Sequence, residues 1–194
     1  MLCVAGAATP AGRRLAMILA VVLAAGRGTR FGGDKMAARV GPSAMLSLVA
    51  GAVAQSGAER LLAVLRHPSQ AALLPPGYTT REVAGEMSDS LRAAVDHAEA
   101  AGADHLLIAL GDMPFVPVAM YRGLIARVSV TTPSAASIEG RAQAPACFPR
   151  AWFPRLRALE GDRGAGVLLQ DLPQVQLVHA VPGQMRDIDR PADI

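Results

Sequence analysis

The strongest pattern in the chain is an unbroken apolar run over residues 18–25 that stops at Gly26. Side chains alternate between the two faces of a strand, so a run with no polar member predicts a strand buried on both sides, as at the centre of a parallel sheet. Residues 44–55 carry apolar positions at helical spacing and end near Gly57, and residues 60–65 form a second strand. Residues 73–77 read as a proline-rich turn and 79–83 as a short strand. A helix follows over 88–101, capped by a serine or aspartate, with Gly102 just past its end. Residues 104–110 give another strand. After Gly111-Asp112-Met113-Pro114 comes a helix over 118–127, then shorter strands over 128–132 and 144–148. Two short helices, 152–159 and 164–171, flank Gly161-Asp162-Arg163, and strands over 175–181 and 185–189 close the chain. Alternating strands and helices predict a three-layer αβα sandwich on a mostly parallel, Rossmann-like sheet, with its ligand at the carboxyl ends of the strands.

Composition adds limits. With 194 residues, 52% of them hydrophobic and 18% charged, the chain suits one compact domain and not a disordered linker. That domain is expected over residues 17–194. Arg13-Arg14 and the apolar run behind them have the outline of a secretory signal, but the run is too short to span a membrane and leads directly into a glycine-rich loop. Residues 1–16 are therefore read as an N-terminal extension, either disordered or an artefact of start-codon choice. Cys3 and Cys147 form no CxxC or Cys/His cluster, which predicts neither a disulfide framework nor a zinc site and points to the reducing cytoplasm. The net charge of +3 comes from arginines and the single lysine, Lys35, while aromatics make up only 4%; no stacking platform supports a nucleic-acid partner.

The chemistry starts where the first strand ends. Leu23-Ala24-Ala25-Gly26-Arg27-Gly28-Thr29-Arg30-Phe31-Gly32-Gly33-Asp34-Lys35 places four glycines and three basic side chains within ten positions. Glycines allow backbone N–H groups to approach phosphate oxygens, and Arg30 and Lys35 supply positive charge, so the loop reads as a polyanion site. A Walker loop is excluded because Met36 follows Lys35 where Ser or Thr is needed. A dinucleotide fingerprint is approached by Gly26, Gly28 and Gly32, but no acidic residue ends a second strand at the required distance. Asp112 follows another buried strand in a turn fixed by glycine and proline, where a carboxylate can reach a metal ion; Mg²⁺ favours one or two carboxylates plus phosphate oxygens and waters. A turn aspartate bonded to its own backbone is the plainer reading of that residue alone.

The loop resembles the signature L-A-(A/G)-G-x-(S/G)-x-R-(M/F)-G-x-x-K of the MobA-like NTP transferases at every fixed position. The resemblance implies a GT-A-like nucleotidyltransferase fold, Arg30, Lys35 and Asp112 as catalytic residues, and Mg²⁺ or Mn²⁺ as cofactor. Asp112 matches the aspartate of the family's G-D-x-P turn. Asp187-Ile188-Asp189-Arg190-Pro191-Ala192-Asp193 is similar to the family's D-I-D-T-P-E-D, so Asp189 or Asp187 is expected to add a second metal-binding carboxylate. Gly85-Glu86-Met87-Ser88-Asp89-Ser90-Leu91-Arg92 is similar to the G-M-S-x-S-L-R of molybdenum cofactor cytidylyltransferases, with one extra residue. Nucleotide contacts are thus implied for residues Leu23, Ala24, Ala25, Gly26, Arg27, Gly28, Thr29, Arg30, Lys35, Gly85, Ser88 and Ser90, although helix capping is an equal explanation of the two serines. Gly161-Asp162-Arg163-Gly164-Ala165 looks like the acceptor-side G-D-x-G-A of the same branch.

The implied reaction moves a nucleoside monophosphate, CMP from CTP by the Ala24-Ala25-Gly26 form of the loop, to a phosphorylated acceptor with release of pyrophosphate. Molybdenum-bearing molybdopterin is the implied acceptor, with transient contact to a molybdoenzyme or its maturation chaperone. Gly32-Gly33-Asp34-Lys35 is closer to the guanylyltransferase pattern and keeps GTP, or another NTP and acceptor, as an alternative. Two readings from other classes are a nicotinamide-dependent oxidoreductase and a non-enzymatic molybdopterin carrier.

Overall fold

A computed structural model describes residues 16–26 and 31–194. The chain runs through β1 (Ile18–Ala24), a small hairpin of β2 (Arg39–Val40) and β3 (Ser43–Ala44), α1 (Met45–Ala54), β4 (Arg60–Leu65), β5 (Tyr78–Glu82), α2 (Met87–Ala100) and β6 (His105–Leu110). It continues with α3 (Val118–Arg127), β7 (Ser134–Ile138), β8 (Arg141–Pro149), α4 (Phe153–Arg157) and β9 (Leu177–His179). Seven strands form one sheet in the order β5-β4-β1-β6-β8-β7-β9, parallel throughout except that β8 is antiparallel to both of its neighbours. The sheet with helices on both faces is the expected αβα sandwich.

Alternation along β1 divides the core in two. Ile18, Ala20, Val22 and Ala24 face the side covered by α1 and α3, where Met45, Leu46, Val49, Met120 and Leu124 pack. Leu19, Val21, Leu23 and Ala25 face α2 and α4, meeting Leu91, Val95, Phe153 and Leu156. All seven residues of β1 are buried, which is why its sequence carries no polar side. The chain leaves β1 toward β4 on one side and returns from β5 to β6 on the other. Connections therefore diverge above β1 and β6, and a crevice opens at their carboxyl ends.

Several expectations are corrected here. No strand occupies 128–132: the Ser129 hydroxyl accepts the backbone N–H groups of Thr131 and Thr132, and Ser129 N–H donates to the Thr132 carbonyl, closing a turn. The strand lies instead at β7, whose first four residues, Ser-Ala-Ala-Ser, give no β-branched signal but are buried, with Ile138 exposed at its end. Residues 185–189 do not join the sheet, since buried Met185 and Ile188 pack into the α1/α3 side of the core and Ile188 N–H donates to the Asp112 carbonyl. The expected helix over 164–171 is a single 3₁₀ turn, Ala165–Leu168. The helix expected from 88 begins one residue earlier, with Glu86 in the capping position and the Asp89 carboxylate accepting the Glu86 N–H at 2.7 Å. That hydrogen bond first, and Arg92 second, hold the Asp89 carboxyl below its usual range.

Cys147 is buried in β8 with a free thiol that burial pushes up, so it stays protonated and unreactive. Among the described residues no helix is long and apolar enough to cross a membrane.

Candidate active site

Three chain segments meet at Lys35, beside the carboxyl ends of β1 and β6. The first is the end of β1 with its loop. Arg27, Gly28, Thr29 and Arg30 lie outside the described residues, and the loop is followed again from Phe31. It re-enters the fold through Asp34, which caps a 3₁₀ turn, Lys35–Ala37, by accepting Met36 N–H at 3.0 Å. The same carboxylate oxygen accepts from the side-chain amide of buried Gln70 at 2.9 Å, and Gln70 Oε1 in turn accepts the N–H groups of Arg66 and His67. Gln70 thus ties the loop to the end of β4. Nothing in the Ser-Gln-Ala-Ala stretch around it advertises this role, because the link is made by one amide across a long sequence separation.

The second segment is the turn after β6. Gly111 N–H donates to Leu23 O at 2.9 Å, drawing the turn against the end of β1. A Cβ at Gly111 would lie 2.9 Å from Met36 Sδ, 3.0 Å from Ala24 Cβ and 3.1 Å from Leu23 O, so only glycine fits this approach. Asp112 follows at once, with its side chain part-exposed at the crevice. The third segment is the carboxyl-terminal stretch. Ile188 anchors it beneath Asp112, and the Asp193 carboxylate accepts the N–H groups of Asp189 and Arg190 at 2.9 and 2.7 Å, which fixes the backbone carrying Asp189.

Lys35 joins all three. Its Nζ lies 3.0 Å from Asp112 Oδ2 and 2.9 Å from Asp189 Oδ1, with only 11% of its side chain exposed. Burial alone would lower its pKa, but the hydrogen bonds and charges of Asp189 and Asp112 outweigh burial and raise it, so Lys35 is charged across the neutral range. Asp187 is exposed, separated from Asp189 by buried Ile188, and it is Asp189 that meets Lys35. The two carboxylates straddle a single point, which suits a small divalent cation completing its shell with phosphate oxygens and waters. Among the described residues no group of three or more His, Cys, Asp or Glu side chains comes together as a metal cage.

Two hollows of about 140 Å³ flank this centre. One is bordered by Gly26, Gly33, Lys35, Arg66 and His67, together with the Asp34 carboxylate and the Gln70 amide. Arg66 was not singled out from sequence; its only signal is its place directly after β4. The other is bordered by Leu23, Ala25, Gly26, Gly85, Met87 and Ser90, with the carboxylates of Glu86 and Asp162. Ala24 points the opposite way, into the α1/α3 core, as the alternation of β1 demands. Ser88 is buried; its hydroxyl accepts from Arg92, and its N–H donates to the Gly161 carbonyl, which docks the 161–165 loop on the start of α2. Gly85 is confined by Asp89, whose carboxylate would collide with any Cβ there.

The model of the MobA-like NTP transferase domain matches residues 20–177. The chain belongs to this family. As a MobA-like protein it has a nucleotidyltransferase fold, and the oxidoreductase alternative falls. Among solved structures it is similar to Rv0371c of Mycobacterium tuberculosis, at 26% identity and a TM-score of 0.77, over 91% of this chain and 95% of that one. A manganese complex of Rv0371c has also been solved. A nucleotidyl transferase from Methanothermobacter shares 22% identity with a TM-score of 0.74, over 91% of this chain and 94% of that one. The 4-diphosphocytidyl-2C-methyl-D-erythritol synthase of Anaerococcus prevotii shares 15% with a TM-score of 0.71, over 92% and 94%. At such identities the last two show the common fold. No curated protein matches the chain.

Proposed function

We propose that this MobA-like transferase moves CMP from CTP to the phosphate of molybdenum-bearing molybdopterin, releasing pyrophosphate, with Mg²⁺ or Mn²⁺ as cofactor. The observation that carries the reading is the placement of Lys35 between Asp112 and Asp189, at the end of a glycine-rich loop and next to a base-sized pocket. Asp112 and Asp189 hold the metal ion, which when bound screens the triphosphate and polarises its α-phosphoryl group. Gly26 and the loop after it, with Arg30, Lys35 and Arg66, bind the β- and γ-phosphates. An oxygen of the acceptor phosphate forms a bond to the α-phosphorus while the bond from that phosphorus to the α,β-bridging oxygen breaks, and pyrophosphate leaves. The acceptor is already anionic near neutral pH, so the protein has to align two anions and offset their repulsion; no general base is required. Charge that builds on the leaving pyrophosphate meets Lys35 and Arg66.

The base pocket supports CTP. Leu23, Ala25 and Met87 offer apolar walls, while Glu86 and Asp162 accept hydrogen bonds and the Ser90 hydroxyl can do the same. The exocyclic amino group of cytosine donates to such a carboxylate, whereas uracil presents a carbonyl oxygen at the same place. Glu86→Gln is expected to lower the CTP-to-UTP ratio of kcat/KM roughly tenfold, because an amide can also donate to the uracil carbonyl. An unchanged ratio would remove Glu86 from base selection.

Arg66→Gln is expected to raise the KM for CTP about tenfold with a smaller effect on kcat, since the guanidinium binds phosphate in both ground and transition states. A fall confined to kcat would place it at the reacting phosphorus instead. The deciding experiment is pyrophosphate release from CTP, GTP, ATP and UTP with Mg²⁺ and molybdenum cofactor, with a chelator as control. CTP-selective release that stops on chelation is expected. Tight cofactor binding without release from any nucleotide would support the carrier alternative and refute the transferase assignment.

A further inference from the structure

Lys35 holds the point that a metal ion shared by Asp112 and Asp189 would hold. Its ammonium is paired with a carboxylate oxygen of Asp112 at 3.0 Å and one of Asp189 at 2.9 Å, so a cation that bridged the same two oxygens would compete with it for them. A divalent ion bound to those oxygens would meet like-charge repulsion from the ammonium hydrogen-bonded to them. Metal entry therefore requires Lys35 to move, and the structure offers a destination: the same side chain borders the hollow formed by Gly26, Gly33, Arg66 and His67, where the phosphates are assigned.

We propose that Lys35 is the resident counter-ion of the Asp112–Asp189 pair and makes metal binding conditional on the nucleotide, yielding its place only when a triphosphate gives the ammonium another anion to bind. The proposal rests on the assignment of these two aspartates as the metal carboxylates. Without nucleotide Lys35 already offsets part of the pair's negative charge, and a free divalent ion meets a site guarded by a cation. With triphosphate bound, the four-carbon stem carries Nζ to the phosphates, and the ammonium no longer competes with the metal for the two carboxylates. Lysine suits this exchange because it is a compact charge on a flexible stem, able to pair with either partner; an arginine fork would commit to one carboxylate geometry. Linkage makes the effect mutual, so the metal tightens nucleotide binding by the same factor.

The test is a Mn²⁺ titration of the full chain, followed by the EPR signal of the free ion, with and without a non-hydrolysable α,β-methylene CTP. Wild type should bind Mn²⁺ weakly alone and at least about tenfold more tightly with the analogue. Lys35→Met should bind Mn²⁺ without nucleotide at least about tenfold more tightly than wild type, and its enhancement by the analogue should shrink correspondingly. Lys35→Gln, also uncharged but polar, should behave alike and covers the case in which the methionine variant does not fold. Wild-type or weaker Mn²⁺ affinity in a folded Lys35 variant would overturn the proposal while leaving the metal assignment standing. Adding Asp112→Asn to the Lys35 variant should abolish the gained affinity; a double variant that keeps it would show that the ion sits elsewhere and would overturn both.

Discussion

Replacing Asp112 with asparagine is expected to lower kcat/KM by about 100- to 1,000-fold, the cost typical of removing one preorganised charged or polar group from a reacting phosphoryl or acyl centre. The substitution keeps the shape of the side chain and its capacity to accept a hydrogen bond. It removes one negative charge from the pair that straddles Lys35. Lys35 retains Asp189 at 2.9 Å, and the main-chain contacts of the turn, Gly111 N–H to Leu23 O and Ile188 N–H to Asp112 O, do not involve the carboxylate. Stability should therefore change little, and a thermal midpoint near that of wild type would separate loss of chemistry from loss of fold. Metal affinity in the presence of nucleotide should fall in parallel with turnover. An asparagine variant with near-wild-type pyrophosphate release would remove Asp112 from the metal site and leave the turn a purely structural feature.

Gly111→Ala is expected to cost about 1–3 kcal/mol of stability, the usual penalty for inserting a methyl group into a packed site. For a chain of this length that corresponds to a fall in Tm of roughly 2–4 °C per kcal/mol. The Met36 thioether can rotate away from the new methyl, but Ala24 Cβ and the Leu23 carbonyl belong to the central strand and have no such freedom. Relief must come from the turn moving outward, which stretches the Gly111 hydrogen bond and carries Asp112 away from Lys35 and Asp189. Activity should fall further than stability explains, because a misplacement of about 1 Å at a reacting centre costs on the order of 100-fold. Thermal unfolding and pyrophosphate release on one preparation check both. An alanine variant with unchanged Tm would mean that β1 and β6 are less tightly apposed at this end than the contacts indicate.

Both variants probe the same fact, that the site is made where β1 and β6 lie side by side. A strand apolar on both faces has to lie inside the sheet, and the segments leaving β1 and β6 turn opposite ways from it. Three chemically suggestive segments thereby become neighbours: Lys35 and Asp112 are separated by 77 positions and Lys35 and Asp189 by 154.

The elements whose local signal was strong came out as read. Residues 60–65 and 118–127 form β4 and α3 with the expected bounds, and β1 ends one residue short of the apolar run. In these segments propensity, burial and the closing glycine or polar residue all agree. The region after α3 was harder. A Val-Ser-Val-Thr-Thr stretch favours a strand by composition, yet Ser129 captures its backbone N–H groups in a turn, and the strand falls to the small residues of β7. Met185 and Ile188 alternate as strand residues do, but their apolar side chains are satisfied by docking on the core and need no partner strand.

The sequence alone determined the αβα architecture, the glycine-rich, basic character of the segment after β1 and the candidacy of Asp112, because each depends on residues adjacent in the chain: a run of apolar side chains, a density of glycine and charge, a turn fixed by glycine and proline. Only the tertiary structure paired Asp189 with Lys35 and left Asp187 exposed, brought Arg66, Gln70, Glu86 and Asp162 to the crevice, turned Ala24 away from it, and set Lys35 against two carboxylates. These outcomes depend on which strand ends share an edge of the sheet and on which face of a strand each side chain takes, and both are fixed by packing across the core and not by spacing along the chain.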